Sequence, residues 1–186
     1  IRDSINHGEK IFIGMTATPG ILHFNKSKWG VSIKQVNKTP IINYKAKRLI
    51  CTDFKSIPQL INSKKIAGRT IIMCQSVHDC YRLQRSLDNA AVLVSKNNQS
   101  FNAGMEAVRR YIVENESLPD TFECRDGKIK RLDTLICTST AREGFNLQEG
   151  SGVRNAISCF PDEMHITQFA GRCRYSLDSI VVVNKT

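Results

Sequence analysis

No uninterrupted apolar run in these 186 residues approaches the roughly 20 that a membrane-spanning helix needs, so the sequence offers no such span. There is no C-x-x-C pair and no Cys/His spacing of a zinc site, although the chain holds seven cysteines. Their odd number argues against a disulfide framework. Cys74 and Cys137 end the apolar runs Ile-Ile-Met-Cys and Leu-Ile-Cys, where buried, reduced thiols belong, and a cytoplasmic setting is expected. The opening Ile-Arg-Asp-Ser-Ile-Asn has neither a starting Met nor the pattern of a signal peptide, and the chain reads as part of a longer protein. Internal repeats and low-complexity tracts are also missing.

What is present is the composition of a globular domain: 41% hydrophobic and 24% charged residues, in a length that can bury a real core. The net charge of +10 is unevenly placed. Residues 26–69 carry eleven Lys/Arg against one acid, Asp53, a concentration that suits a polyanion partner or a solvated surface. The four histidines (7, 23, 78 and 165) are scattered and suggest no metal site; Trp29, among lysines, reads as an aromatic packed under a loop.

Short apolar runs alternate with helical patterns from residue 69 onward. Strands are expected at 70–74, 91–94, 132–137, 153–160 and 179–183. Helices are expected from Ser76, with Asp79 three residues on as a near capping box, to a stop at Asp88-Asn89; over 101–113, with Met105, Val108, Tyr111 and Ile112 on one side; and from an Asp162 cap to about Arg174. Upstream, 11–15 reads as a buried strand, 32–36 and 47–51 as weaker strands, and 57–62 as a short helix. Residues 114–131, polar and broken by Pro119 and Gly127, read as a loop or insertion. This alternation predicts an α/β domain with a mainly parallel sheet.

In such sheets chemistry collects where strands end. Thr138-Ser139-Thr140, after a strand, offers hydroxyls to phosphate oxygens, and Gly144 allows close backbone approach. In Gln168-Phe169-Ala170-Gly171-Arg172-Cys173-Arg174, two arginines beside a glycine offer fixed charge suited to a transferring phosphoryl group. Thr16-Ala17-Thr18-Pro19 ends the first strand with two hydroxyls.

The order T-A-T-P, a strand-to-helix step at Gln75-Ser76, S-T-x-x-x-G-x-N and Q-x-x-G-R-x-R resembles motifs III to VI of superfamily 2 helicases, over nearly the whole chain. The resemblance implies a RecA-like sheet flanked by helices, the second such domain of an ATP-dependent enzyme. It implies that 1–20 is the end of a first RecA-like domain, 21–68 a basic linker and 69–186 the second domain. Thr16 and Thr18 take coupling positions. Gln75, Ser76, Thr138 and Ser139 take positions along the nucleic-acid strand, and Gly144 and Asn146 face the nucleotide. Gln168, Arg172 and Arg174 match the motif whose arginines reach ATP, with Arg172 as the arginine finger. Two positions depart from the common pattern: Tyr175 stands three residues after Arg172 where a second arginine is usual, and Asn146 replaces the usual Asp.

The chain holds no G-x-x-x-x-G-K-[ST] loop and no Asp-Glu-x-Asp/His box before Thr16. ATP and Mg²⁺ are therefore expected to be held mainly by the first RecA-like domain, and this chain is expected to be inactive alone. The function implied is the C-terminal domain of a helicase acting on nucleic acid, DNA in preference to RNA, with no membrane partner. A duplex DNA translocase of the same superfamily and a non-catalytic nucleic-acid-binding RecA-like module are the alternatives.

Overall fold

The computed structural model describes residues 46–124, 126–139, 146–160 and 162–184. The chain divides into two units at residues 41 and 42, and every described residue lies in the second. The expected strands at 11–15 and 32–36, and the candidate residues Thr16, Thr18 and Gly144, lie outside the described residues.

Among the described residues, six strands form one fully parallel sheet: β1 (Arg48–Thr52), β2 (Arg69–Met73), β3 (Ala90–Leu93), β6 (Thr134–Cys137), β7 (Val153–Ser158) and β8 (Ser179–Val183). Their order across the sheet is β1-β8-β7-β2-β6-β3, which puts β2 between β6 and β7. Central strands of a parallel sheet are covered on both faces, so their sequences are continuously apolar rather than alternating. Ile71, Ile72, Met73, Leu135, Ile136 and Ile157 are wholly buried. Each such side chain contributes about 1.5–3 kcal/mol by leaving water.

Among the described residues, four α-helices connect the strands: α1 (Ile57–Asn62), α2 (Val77–Gln84), α3 (Ala103–Asn115) and α4 (Glu163–Ala170). Side chains preset three of the starts by accepting a hydrogen bond from an orphan backbone N–H. Ser76 accepts from Asp79 N at 3.1 Å, Asn102 from Met105 N at 3.0 Å and Asp162 from His165 N at 2.9 Å.

Residues 48–62 form β1, a 3-10 turn and α1, in line with the weaker strand expected at 47–51 and the short helix expected at 57–62. β1 pairs along its length with β8, and Ile57 is buried in the core. The structure corrects several expectations. Tyr111 does not join the buried side of α3; it is 41% exposed while Met105, Val108 and Ile112 pack inward. Two helices stop early. α2 ends at Gln84, and α4 ends at Ala170 with Gly171 as its C-cap, so Arg172 and Arg174 sit in the turn beyond it. Residues 114–131 are not merely a loop: β4 (Thr121–Glu123) and β5 (Ile129–Arg131) pair antiparallel as a hairpin. Gly127, at φ +76°, supplies the left-handed turn residue. Phe122 anchors this ribbon while β5 is exposed throughout.

Candidate functional site

The described candidate residues fall into two groups. The first lies at the C-terminal edge of the sheet. Gln75 and Ser76 follow β2, and Thr138 and Ser139 follow the adjacent β6. Cys74 N donates to Cys137 O at 2.8 Å, and Thr138 N to Leu93 O at 3.4 Å, so these strand ends are held side by side. Ser139 is exposed and Thr138 half-buried. Gln75 and Ser76 already have intramolecular tasks. The Gln75 carboxamide donates to the carbonyl of Cys159, tying β2 to the end of β7. The Ser76 hydroxyl donates to Asp79 Oδ2 at 2.7 Å while accepting the capping bond.

Beneath this edge lies a group of thiols. Cys74 is in contact with Cys159 and Cys80, and these hydrogen bonds together with burial push its thiol far above the ordinary range. Burial likewise raises Cys137, whose Sγ lies 3.2 Å from Ile72 O. Thiols so raised are poor nucleophiles, and they act here as small core residues. All seven cysteines are free of disulfides. Among the described residues, no group of three or more His, Cys, Asp or Glu could hold a metal ion, and no helix is long and apolar enough to cross a membrane.

The second group is built where the chain after β6 meets the turn after α4. Leu147 N donates to Arg172 O at 2.7 Å and Arg174 N to Leu147 O at 2.8 Å, a parallel bridge that pairs Leu147 with Cys173. Leu147 and Cys173 are both wholly buried. Arg172, Arg174 and Asn146, which flank this bridge, are half-buried, and Arg172 Nε is enclosed. Arg174 Nη2 donates to Asn146 Oδ1 at 3.0 Å. Gln168 is half-buried in the last turn of α4, four residues before Arg172. Gln148 continues the splice: its N–H reaches Glu116 O at 2.9 Å and its carboxamide Glu116 Oε2 at 2.8 Å, fixing the segment to the end of α3.

Tyr175, the departure from the usual second arginine, is turned inward. Its hydroxyl donates to Val153 O at 2.7 Å and lies 2.7 Å from Ser151 Oγ, and burial pushes its ionisation well above the ordinary value. Tyr175 is therefore a packing residue here. The basic segment is likewise redistributed. Arg69 bonds Leu118 O, Ser151 O, Pro119 O and Asp120, and Lys47 pairs with Asp178 at 2.7 Å. Arg48 opens β1 at the N-terminal edge of the sheet, opposite the edge that holds Thr138 and Ser139.

Sequence reasoning missed the hairpin, whose signal was Asp126-Gly127 between two short β-rich stretches. It also missed a ring pair at the end of β7. Phe160 and His165 stack with centroids 4.6 Å apart and planes at 7°.

No family model matches this sequence, and no curated protein matches it. Solved structures do share its fold. S. cerevisiae Dbp5 bound to RNA and ADP BeF3 is 12% identical, with a TM-score of 0.54 over 93% of this chain and 44% of that one. T. fusca Cas3-ADP is 16% identical, with a TM-score of 0.50 over 81% of this chain and 20% of that one. The chain thus spans less than half the length of either structure. The parallel six-stranded sheet with flanking helices is a RecA-like α/β fold, shared with these structures.

Proposed function

We propose that this chain contributes the second RecA-like domain of an ATP-dependent nucleic-acid helicase, with residues 1–20 belonging to the end of the first. The observation that supports this reading best is the splice of 146–148 onto 172–174. It brings the backbone of Arg172 and Arg174 beside Asn146, and the Arg174 guanidinium onto the Asn146 carboxamide, from motifs that lie apart in sequence.

That donor set suits a polyphosphate bearing a ribose: guanidiniums match phosphate oxygens in charge and geometry. ATP, when bound, supplies a phosphoryl group on which negative charge must be stabilised during transfer. Arg172 is assigned as the arginine finger. Arg174 holds Asn146 in place on the nucleotide side, to which the motif also assigns Gly144, and Gln168 supports the turn. Thr138 and Ser139 take the nucleic-acid strand, DNA in preference to RNA, while Gln75 and Ser76 position the neighbouring strand end. Thr16 and Thr18 couple the two domains.

In the full-length protein, Arg172→Ala is expected to lower nucleic-acid-stimulated ATP hydrolysis by on the order of 10³-fold, with oligonucleotide binding retained. Hydrolysis that survives unchanged removes Arg172 from the role of finger.

A further inference from the structure

The C-terminal edge of the sheet does not stop at Thr138 and Gln75. The next strand in order is β7, and the chain leaving it carries Phe160, Asp162 and His165. The Gln75 carboxamide reaches the carbonyl of Cys159, the residue before Phe160, so this end adjoins the candidate strand-binding residues directly. Strands in a sheet lie about 4.8 Å apart, and β6, β2 and β7 together present a continuous row at their ends.

The ring pair at the end of that row is held rigidly from both sides. Ser158, itself buried, accepts from Phe160 N and donates to Phe160 O, each at 3.2 Å, which fixes the backbone of the aromatic residue. Asp162 accepts from both the backbone N–H and the ring Nδ1 of His165. Slight burial pushes the Asp162 carboxyl up, but these two hydrogen bonds more than offset it and hold it below the usual carboxylate range. The imidazole therefore keeps one orientation, parallel to Phe160, and its side chain is 20% exposed. Rings oriented in advance lose little freedom on binding, and aromatic faces accept any base.

We infer that Phe160 and His165 form a base-stacking platform that extends the nucleic-acid track from β6 and β2 onto β7. The ligand class is single-stranded nucleic acid, read through its bases rather than its phosphates. This inference rests on the strand-binding reading of Thr138 and Ser139. It differs from that reading in its chemistry, because hydroxyls contact phosphates and rings contact bases.

The test uses the whole chain, a labelled oligothymidylate, and an abasic oligomer with the same phosphates but no bases. Phe160→Leu, which keeps apolar bulk without a ring, and His165→Ala are each expected to weaken oligothymidylate binding by roughly ten-fold. Abasic binding and the slope of affinity against salt are expected to stay at the wild-type value, and His165→Phe is expected to recover most of the loss. Folded variants that bind oligothymidylate like the wild type, or lose abasic binding equally, overturn the platform. If Thr138→Ala and Ser139→Ala weaken both oligomers while Phe160→Leu changes neither, the platform falls and the strand track stands. A wild-type chain that binds neither oligomer overturns both.

Discussion

Arg174 reaches across 28 residues of sequence to donate from Nη2 to Asn146 Oδ1 at 3.0 Å, and the backbone of the same two segments is bonded on either side of that contact. The side-chain bond thus rests on a splice already fixed by the buried pair Leu147 and Cys173. Its energy is testable separately from the splice.

A double-mutant cycle of Arg174→Ala and Asn146→Ala is expected to give a coupling of about 1 kcal/mol in urea unfolding. This lies below the usual value for hydrogen bonds to charged groups, because both residues are half-exposed. Asn146→Asp turns the contact into an ion pair and is expected to be neutral or mildly stabilising. Effects of the two alanine substitutions that simply add would mean that the guanidinium and the carboxamide do not hold each other in solution.

Much of the fold was legible because its signals are local. The valine-rich run 179–183 and the short helix 57–62 have the bounds expected, and the Ser76 cap with Asp79 was visible from their spacing. The misreadings arose where a long-range contact replaced a local pattern. Cys173 extended the apolar spacing of α4, but it is buried by pairing with Leu147 instead of by another helical turn, so Arg172 and Arg174 leave the helix. Tyr111 fits the buried side by period, yet too little of the fold covers that part of α3. The bond from Arg174 to Asn146 and the stack of Phe160 on His165 depend on backbone brought together by the sheet, which periodicity does not encode. The early strand β1 was legible at 47–51 despite its charges, but its parallel pairing with β8, a partner about 130 residues away, was not.

Ser76 separates a structural duty from a binding one. Its hydroxyl both donates to Asp79 Oδ2 and accepts from Asp79 N, so Ser76→Ala is expected to cost about 1 kcal/mol of stability, and Ser76→Thr much less. Below the melting transition, Ser76→Ala is expected to disturb oligonucleotide affinity less than Thr138→Ala does. An equal loss of affinity in the two folded variants would return Ser76 to the list of direct contacts.

Alkaline pH should reveal the buried thiols. Burial pushes Cys173 up from an ordinary 9.0 to about 12, and Cys74 and Cys137 are raised as well. A folded pKa above the unfolded one means that the unfolded chain releases its proton first. The corresponding stability is complete below pH 9 and is lost as the pH rises from there toward 12. Each thiol that titrates only in the unfolded state steepens the fall by up to about 1.4 kcal/mol per pH unit. Tyr175 adds to the decline above its ordinary value of 10.0, since burial raises it too. Urea midpoints are therefore expected to be nearly flat from pH 7 to 8.5 and to drop steeply by pH 10.5. Cys173→Ala is expected to start from a lower midpoint, because it removes buried volume, but to decline with a shallower slope. Midpoints that stay level through pH 10.5 would show that these thiols ionise in the folded chain as easily as in the unfolded one, and the closed packing around Cys74, Cys137 and Cys173 would have to be abandoned.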